Sequence, residues 1–212
     1  MSRVWLFDLD GTLIDSMPTV AEILLQFSHE YGLSCDDEIV DMITPMGYMG
    51  VAKYFAELGV PMSAEEIFAI FKERTYQAYC KAIPLKKGVR QALEKLKADG
   101  DRLFVMTASP NALIGLTLGK QGMLDLFEET WSVEQFQWTK ADKQLFYEIA
   151  EKLGVSTADC VMVDDNVNVL KVAKGAGLRT VGVYDEFSRG MQEELRAVVD
   201  AYILDFTGLL GL

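Results

Sequence analysis

The chain has 212 residues, half of them hydrophobic and a quarter charged, with a formal net charge of −12. That balance excludes a nucleic-acid-binding role, which needs basic stripes to displace counterions from phosphates. No apolar run approaches the roughly 18 residues of a membrane span, so no contact with a membrane is expected.

The length suits one core domain carrying a smaller inserted one. Met1-Ser2-Arg3 leads directly into Val4-Trp5-Leu6-Phe7, a short run ending on an acid, which reads as a strand and not as a secretory signal. The expected location is therefore the cytoplasm. Cys35, Cys80 and Cys160 are odd in number and widely spaced, without a CxxC or Cys/His pairing, and are expected to be reduced structural thiols.

The first predicted strand, Val4 to Leu9, carries the segment Asp8-Leu9-Asp10-Gly11-Thr12. Carboxylates two residues apart at the carboxyl end of a strand project the same way, into the crevice where open α/β sheets bind ligands. Like charges that close are costly unless a metal or proton lies between them, so the pair suits a cation site with one acid left to act on a substrate. Gly11 allows a sharp backbone turn. Asp-x-Asp-Gly also occurs in plain turns and in calcium loops, but the twelfth position from Asp8 is Thr19, where a calcium loop needs a glutamate.

From Ser16 to Ile83 the pattern is helical throughout, with segments at Val20 to Glu30, Asp37 to Ile43, Gly50 to Leu58 and Ala64 to Tyr79. Breaks fall at Gly32, Pro45-Met46-Gly47 and Gly59-Val60-Pro61. About ninety residues thus separate the first two strands, where a βαβ unit needs only about thirty. Four further buried strands follow, at Arg102 to Met106, Glu129 to Val133, Cys160 to Val163 and Arg179 to Val183, with helices at Gly88 to Lys97 and Leu145 to Leu153. The expected fold is α/β, a Rossmann-like three-layer sandwich around a five-stranded parallel sheet. Residues 1–15 and 84–212 form the core domain, and residues 16–83 form an inserted α-helical cap whose two connections act as a paired hinge.

On Asp8-Leu9-Asp10-Gly11-Thr12 the sequence resembles the haloacid dehalogenase-like hydrolase superfamily, in its phosphoglycolate phosphatase and β-phosphoglucomutase-like branch with a helical cap. The resemblance implies that Asp8 attacks phosphorus to form an aspartyl phosphate, and that Asp10 protonates the leaving oxygen and then activates water. The superfamily's second motif, a Thr or Ser ending the next core strand, corresponds to Thr107. Its hydroxyl and the backbone N–H groups of Ala108 and Ser109 can donate to phosphoryl oxygens. The third, a lysine at a helix entrance, corresponds to Lys140 in Lys140-Ala141-Asp142-Lys143, with Lys143 as the fallback.

The fourth motif, acids after a strand, is met in its double form by Asp164-Asp165, with Val169 where a later acid is commoner and Asn166 and Asn168 as the nearby polar groups. Mg²⁺ is the implied cofactor, held by Asp8, Asp165 and the backbone carbonyl of Asp10, with Asp164 close behind. His29, the sole histidine, has no partner at zinc-ligand spacing.

Gly47 and Tyr48, in the turn Pro45 to Gly50, lie where the resembled family places its substrate-specificity loop; packing within the cap is the alternative for Met46, Tyr48 and Met49. The implied activity is hydrolysis of a small phosphorylated metabolite by a monomer. The alternatives are a phosphomutase acting on a sugar phosphate and a catalytically silent module that keeps the fold.

Overall fold

Val4–Phe7 (β1) is apolar at every position and all four side chains are buried, as befits a strand covered on both faces. The computed structural model, which describes residues 2–34, 39, 46–81 and 83–211, surrounds β1 with five more strands. These are β2 (Arg102–Thr107), β3 (Glu129–Ser132), β4 (Cys160–Asp164), β5 (Arg179–Val183) and β6 (Ala201–Ile203). All pairs are parallel, in the order β3-β2-β1-β4-β5-β6. The sheet therefore has six strands, not the expected five. The extra edge strand spans three residues, two of them only half-buried, too few for an alternating or continuous apolar pattern to declare itself.

The α-helices among the described residues are α1 (Met17–Glu30), α2 (Gly47–Glu57), α3 (Ala64–Tyr79), α4 (Val89–Ala98), α5 (Asn111–Ile114), α6 (Lys143–Leu153), α7 (Val167–Gly175) and α8 (Gln192–Val198). Among the described residues no helix is long and apolar enough to cross a membrane. The expected helix Asp37 to Ile43 lies outside the described residues except for Ile39.

The chain forms two compact units, one of Met1–Asp15 with Ile83–Leu212 and one of Ser16–Ala82. Ile83 thus falls in the sheet-containing unit, one residue before the expected return at Pro84; its carbonyl accepts from Gln121 Nε2 at 2.8 Å and its side chain is buried.

In the sheet unit the alternation of β1 divides the core. Val4 and Leu6 join Phe104, Met106 and Met162 against Leu145, Phe146 and Ile149 of α6 and Val167 and Leu170 of α7. Trp5 and Phe7 point the other way, with rings stacked at 6.0 Å and Phe7 6.2 Å from Phe206. The helical unit has its own aromatic centre, Phe27, Phe55 and Phe71, one each from α1, α2 and α3, all fully buried with centroids 4.9 to 6.1 Å apart. Helix α3 opens with a capping box, in which Ser63 Oγ accepts from the Glu66 N–H and the Glu66 carboxylate accepts from the Ser63 N–H.

Gly88 seats the closing turns of the chain. It precedes α4 with φ of 81°, and a Cβ there would lie 2.8 Å from the backbone nitrogen of Thr207. We expect Gly88→Ala to destabilise the protein by about 1–3 kcal/mol through strain at this position. Urea denaturation measures it, and an unchanged midpoint would contradict the packing described.

Candidate active site

The order of strands places β1 and β4 side by side at the point where the chain, having built one half of the sheet outward, returns to build the other. Ligand sites in open parallel sheets form at such points, beyond the carboxyl ends of the strands. Phe7 is in register with Val163, and the Asp8 N–H donates to the Val163 carbonyl at 2.9 Å, so the residues that follow each strand meet. Asp8 and Asp164 thereby point to the same face of the sheet, and both are buried.

That face is also the one on which α6 packs, and the turn entering α6 delivers Lys140. Its Nζ lies 2.5 Å from Asp8 Oδ1 and 2.7 Å from Asp164 Oδ2, and the lysine is 7% exposed. Asp142 caps α6 by accepting from the Gln144 N–H, which fixes where the turn ends. Lys143 begins the helix proper; it is exposed, its side chain lying across Gly175. Of the two lysines the sequence offers, only Lys140 meets the acids.

Asp165 turns toward the loop after β1. Thr12 Oγ1 donates to Asp165 Oδ1 at 2.9 Å, and Gly11, with φ of 74°, leaves room for that carboxylate: a Cβ on Gly11 would stand 2.9 Å from both its oxygens. Gly11 thus supplies a left-handed conformation and empty space at once. Asp10 is held from β2's end, where Ser109 Oγ donates to Asp10 Oδ2 at 2.5 Å. Thr107 is buried at the last position of β2, its Oγ1 accepting from the Ser109 N–H at 3.0 Å, and Ala108 between them is exposed.

Other expected residues have partners of their own. Asn166 Oδ1 caps α7 by accepting from the Asn168 N–H, and Val169 packs against the core cluster. Tyr48 sits in the first turn of α2, where its hydroxyl accepts from Thr75 Oγ1 at 2.7 Å and its ring lies 5.9 Å from Phe71. That is the packing alternative's geometry. Gly47 begins the same helix. Sequence reasoning assigns no role to Thr12's hydroxyl, to Lys86 or to Asp185, although an acid two residues beyond β5 is the signal that was available for the last. Lys86 Nζ lies 2.6 Å from Asp185 Oδ2 in a second ion pair, 13% and 3% exposed.

The electrostatics follow from this crowding. Burial, opposed by Lys140 and reinforced by Asp164 and Asp10, pushes the Asp8 carboxyl up to about 7. Asp165 is likewise raised well above the usual carboxylate range, by burial first, then by Asp164, Asp8 and Asp185, with Lys86 opposing. Burial alone would lower the Lys140 ammonium, but Asp164 and Asp8 outweigh it and hold its pKa above that of an ordinary lysine. Asp8, Asp164 and Asp165 each offer an oxygen within 4.8 Å of the others. Three carboxyl groups share one ammonium, so that protons must take up part of the charge unless a cation does, and an all-oxygen donor set suits a hard divalent cation such as Mg²⁺.

A pH experiment tests the crowding directly. Asp8 titrates higher in the folded protein, near 7, than its ordinary 3.8, so over that interval the folded state holds a proton that the unfolded chain has released. The associated stability is complete below the lower value and is lost as pH rises toward the upper one. In chelator, Asp8→Asn should gain stability relative to the parent protein as pH rises from about 5 to about 7. Thermal denaturation at the two pH values measures it, and a constant difference would contradict it.

Known proteins are similar to this chain over most of its length. The family model for haloacid dehalogenase-like hydrolases matches residues 5–183. Hexitol phosphatase B of Escherichia coli K12 is 29% identical over 181 residues, covering 84% of this chain and 82% of that protein. Phosphoglycolate phosphatase of Colwellia psychrerythraea is 27% identical over 197 residues, 89% of this chain and 87% of that one. The fold is shared by the crystal structure of CbbY from Rhodobacter sphaeroides in complex with phosphate, with a TM-score of 0.80 over the whole of both chains at 23% identity. The chain belongs to the haloacid dehalogenase-like hydrolase family.

Proposed function

We propose that this hydrolase is a Mg²⁺-dependent phosphatase of small phosphorylated metabolites that works through an aspartyl phosphate on Asp8. The observation that carries the reading is the Lys140 ammonium fixed between Asp8 and Asp164, with Asp165 completing the oxygen cluster. Relatives named hexitol phosphatase B and phosphoglycolate phosphatase support the substrate class.

In this reading an Asp8 carboxylate oxygen attacks phosphorus and the ester P–O bond breaks. Asp10, oriented by Ser109 Oγ, gives its proton to the leaving oxygen. Water then attacks the phosphorus while Asp10 takes its proton, the bond to Asp8 breaks, and inorganic phosphate leaves. Lys140 balances charge on Asp8 and then on the phosphoryl group. The Thr107 hydroxyl, which accepts from the Ser109 N–H, keeps its own proton for a phosphoryl oxygen, and the Ala108 N–H is a second donor. Asp8, Asp165 and the Asp10 carbonyl would hold the Mg²⁺, because Asp164 has its oxygens engaged by Lys140 and by the Asn166 N–H. When bound, the ion screens the repulsion between an anionic ester and an acidic site.

Phosphate release from a panel of phosphorylated metabolites, with Mg²⁺ and with chelator, tests the proposal. Release should require the metal and should fall by about three orders of magnitude or more in Asp8→Asn, since no other group replaces the nucleophile. Unchanged turnover in that variant would refute the assignment, and isomerisation of a sugar phosphate without phosphate release would make the enzyme a mutase. Asp165→Ala should shift the Mg²⁺ titration upward by at least about tenfold, as even the loss of an outer-sphere partner does. A normal titration would move the ligand to Asp164.

A further inference from the structure

The Lys86–Asp185 ion pair, its lysine partly buried and its aspartate buried, lies within the sheet unit near Asp15 and Ile83, where that unit's chain breaks off and resumes. The outgoing segment after β1 and the returning segment before α4 lie side by side within the sheet unit as a short ladder. Ile14 bridges Leu85 in antiparallel fashion, the Asp15 N–H donates to the Pro84 carbonyl at 2.9 Å, and the Lys86 N–H donates to the Leu13 carbonyl at 3.0 Å. A two-stranded ladder this short is marginal by itself. Lys86 anchors it: its ammonium crosses to the end of β5, where it donates to the Tyr184 carbonyl at 2.9 Å and to Asp185 Oδ2 at 2.6 Å. Asp185 is fixed in turn, its Oδ1 accepting from the Phe187 N–H at 2.9 Å.

Stability is a poor reason for such a pair, because two largely covered charges lose much of their hydration and apolar residues of similar size often serve as well. Its placement suggests another. The Leu13 carbonyl that receives the Lys86 N–H belongs to the residue directly after Thr12, whose hydroxyl donates to Asp165, and two residues after Gly11, which borders both Asp165 oxygens. Moving this segment by a fraction of an ångström would therefore move the Asp165 carboxylate or clash with it. Lys86 also offsets part of the negative field that Asp164, Asp8 and Asp185 impose on Asp165.

We propose that Lys86 is a positioning residue for the acidic centre. Clasped by Asp185 and the Tyr184 carbonyl, it locks the Gly11–Asp15 segment against the end of β5, and so fixes the Thr12 hydroxyl and the Asp165 carboxylate that this hydroxyl orients. The role rests on the functional reading above insofar as it takes Asp165 to be a Mg²⁺ ligand.

The decisive variant is Lys86→Met with Asp185→Asn. It removes one charge of each sign, so the net charge is unchanged, while Met keeps the apolar stem and Asn keeps an acceptor for the Phe187 N–H. Two quantities are read on the full chain without substrate: amide hydrogen exchange in chelator, and Mg²⁺ affinity by calorimetry. Exchange at Asp15 and Lys86 should quicken by at least about tenfold while the amides of β1 and β2 keep their protection. Mg²⁺ affinity should weaken by at least about tenfold. Leu93→Ala, a truncation in the buried face of α4, should lower the melting temperature and leave the Mg²⁺ affinity where it was, which separates positioning from general destabilisation.

Unchanged exchange at Asp15 and Lys86 overturns the proposal, and so does faster exchange with an unchanged Mg²⁺ affinity. If the double variant does not fold, Asp185→Asn alone is read by the same two criteria. Failure of the parent protein itself to bind Mg²⁺ would count against the functional reading, and the exchange measurement would still decide whether Lys86 holds the segment.

Discussion

One ammonium between two buried carboxylates sets the terms for the rest of this molecule. Parallel pairing of β1 with β4 brings Asp8 beside Asp164 on one face of the sheet, where each raises the cost of ionising the other. The charge that offsets it must come from the same face. The crossover that returns the chain from β3 to β4 passes over that face as α6, and its entry turn carries Lys140. Topology and electrostatics are thus solved by the same segment, and the sharp end of α6 at the Asp142 cap is what makes the lysine's position definite.

The neighbouring acid is managed separately. Asp165 faces the loop after β1, where a glycine supplies space, a threonine supplies a hydrogen bond, and the Lys86–Asp185 pair lies behind. Asp10 has a third arrangement, a serine hydroxyl from beyond β2. Asp8 and Asp164 thus share Lys140 while Asp165 and Asp10 are each held by a hydroxyl, which is how a chain of net charge −12 concentrates acids in one crevice without making them all equivalent. Inequivalent environments are what acid and base chemistry by similar groups requires.

Much of the sheet was legible because β1, β2 and β4 are near-continuous apolar runs, the pattern that burial on both faces produces; β5 was placed at Arg179 to Val183, the bounds it has in the structure. β6 escaped because Ala201–Ile203 is too short to carry a pattern. Asp8, Asp10, Asp164 and Asp165 were visible as carboxylates following strands. The choice between Lys140 and Lys143 was not, since both stand at a helix entrance and only burial distinguishes them. Lys86 and Asp185 are 99 positions apart, and nothing local in either segment announces the other. For Tyr48 the sequence left substrate contact and packing within the cap both open, and its hydroxyl accepts from Thr75 Oγ1 within the helical unit.

The position of β1 has a consequence for how the chain reaches this state. Both of its neighbours lie far along the sequence, β2 beginning at Arg102 and β4 at Cys160, while every residue of the helical unit precedes them. On the ribosome, synthesis proceeds from the amino end, so the Phe27, Phe55 and Phe71 centre can assemble while Val4–Phe7 still lacks a strand on either side. The most apolar strand of the protein is then the one that waits longest for its cover, and its contacts are among the most distant in sequence, the kind that close slowly. An inserted unit that folds early shortens the effective distance between the ends it joins, and the ladder at Ile14 and Leu85 is where that shortening is made good.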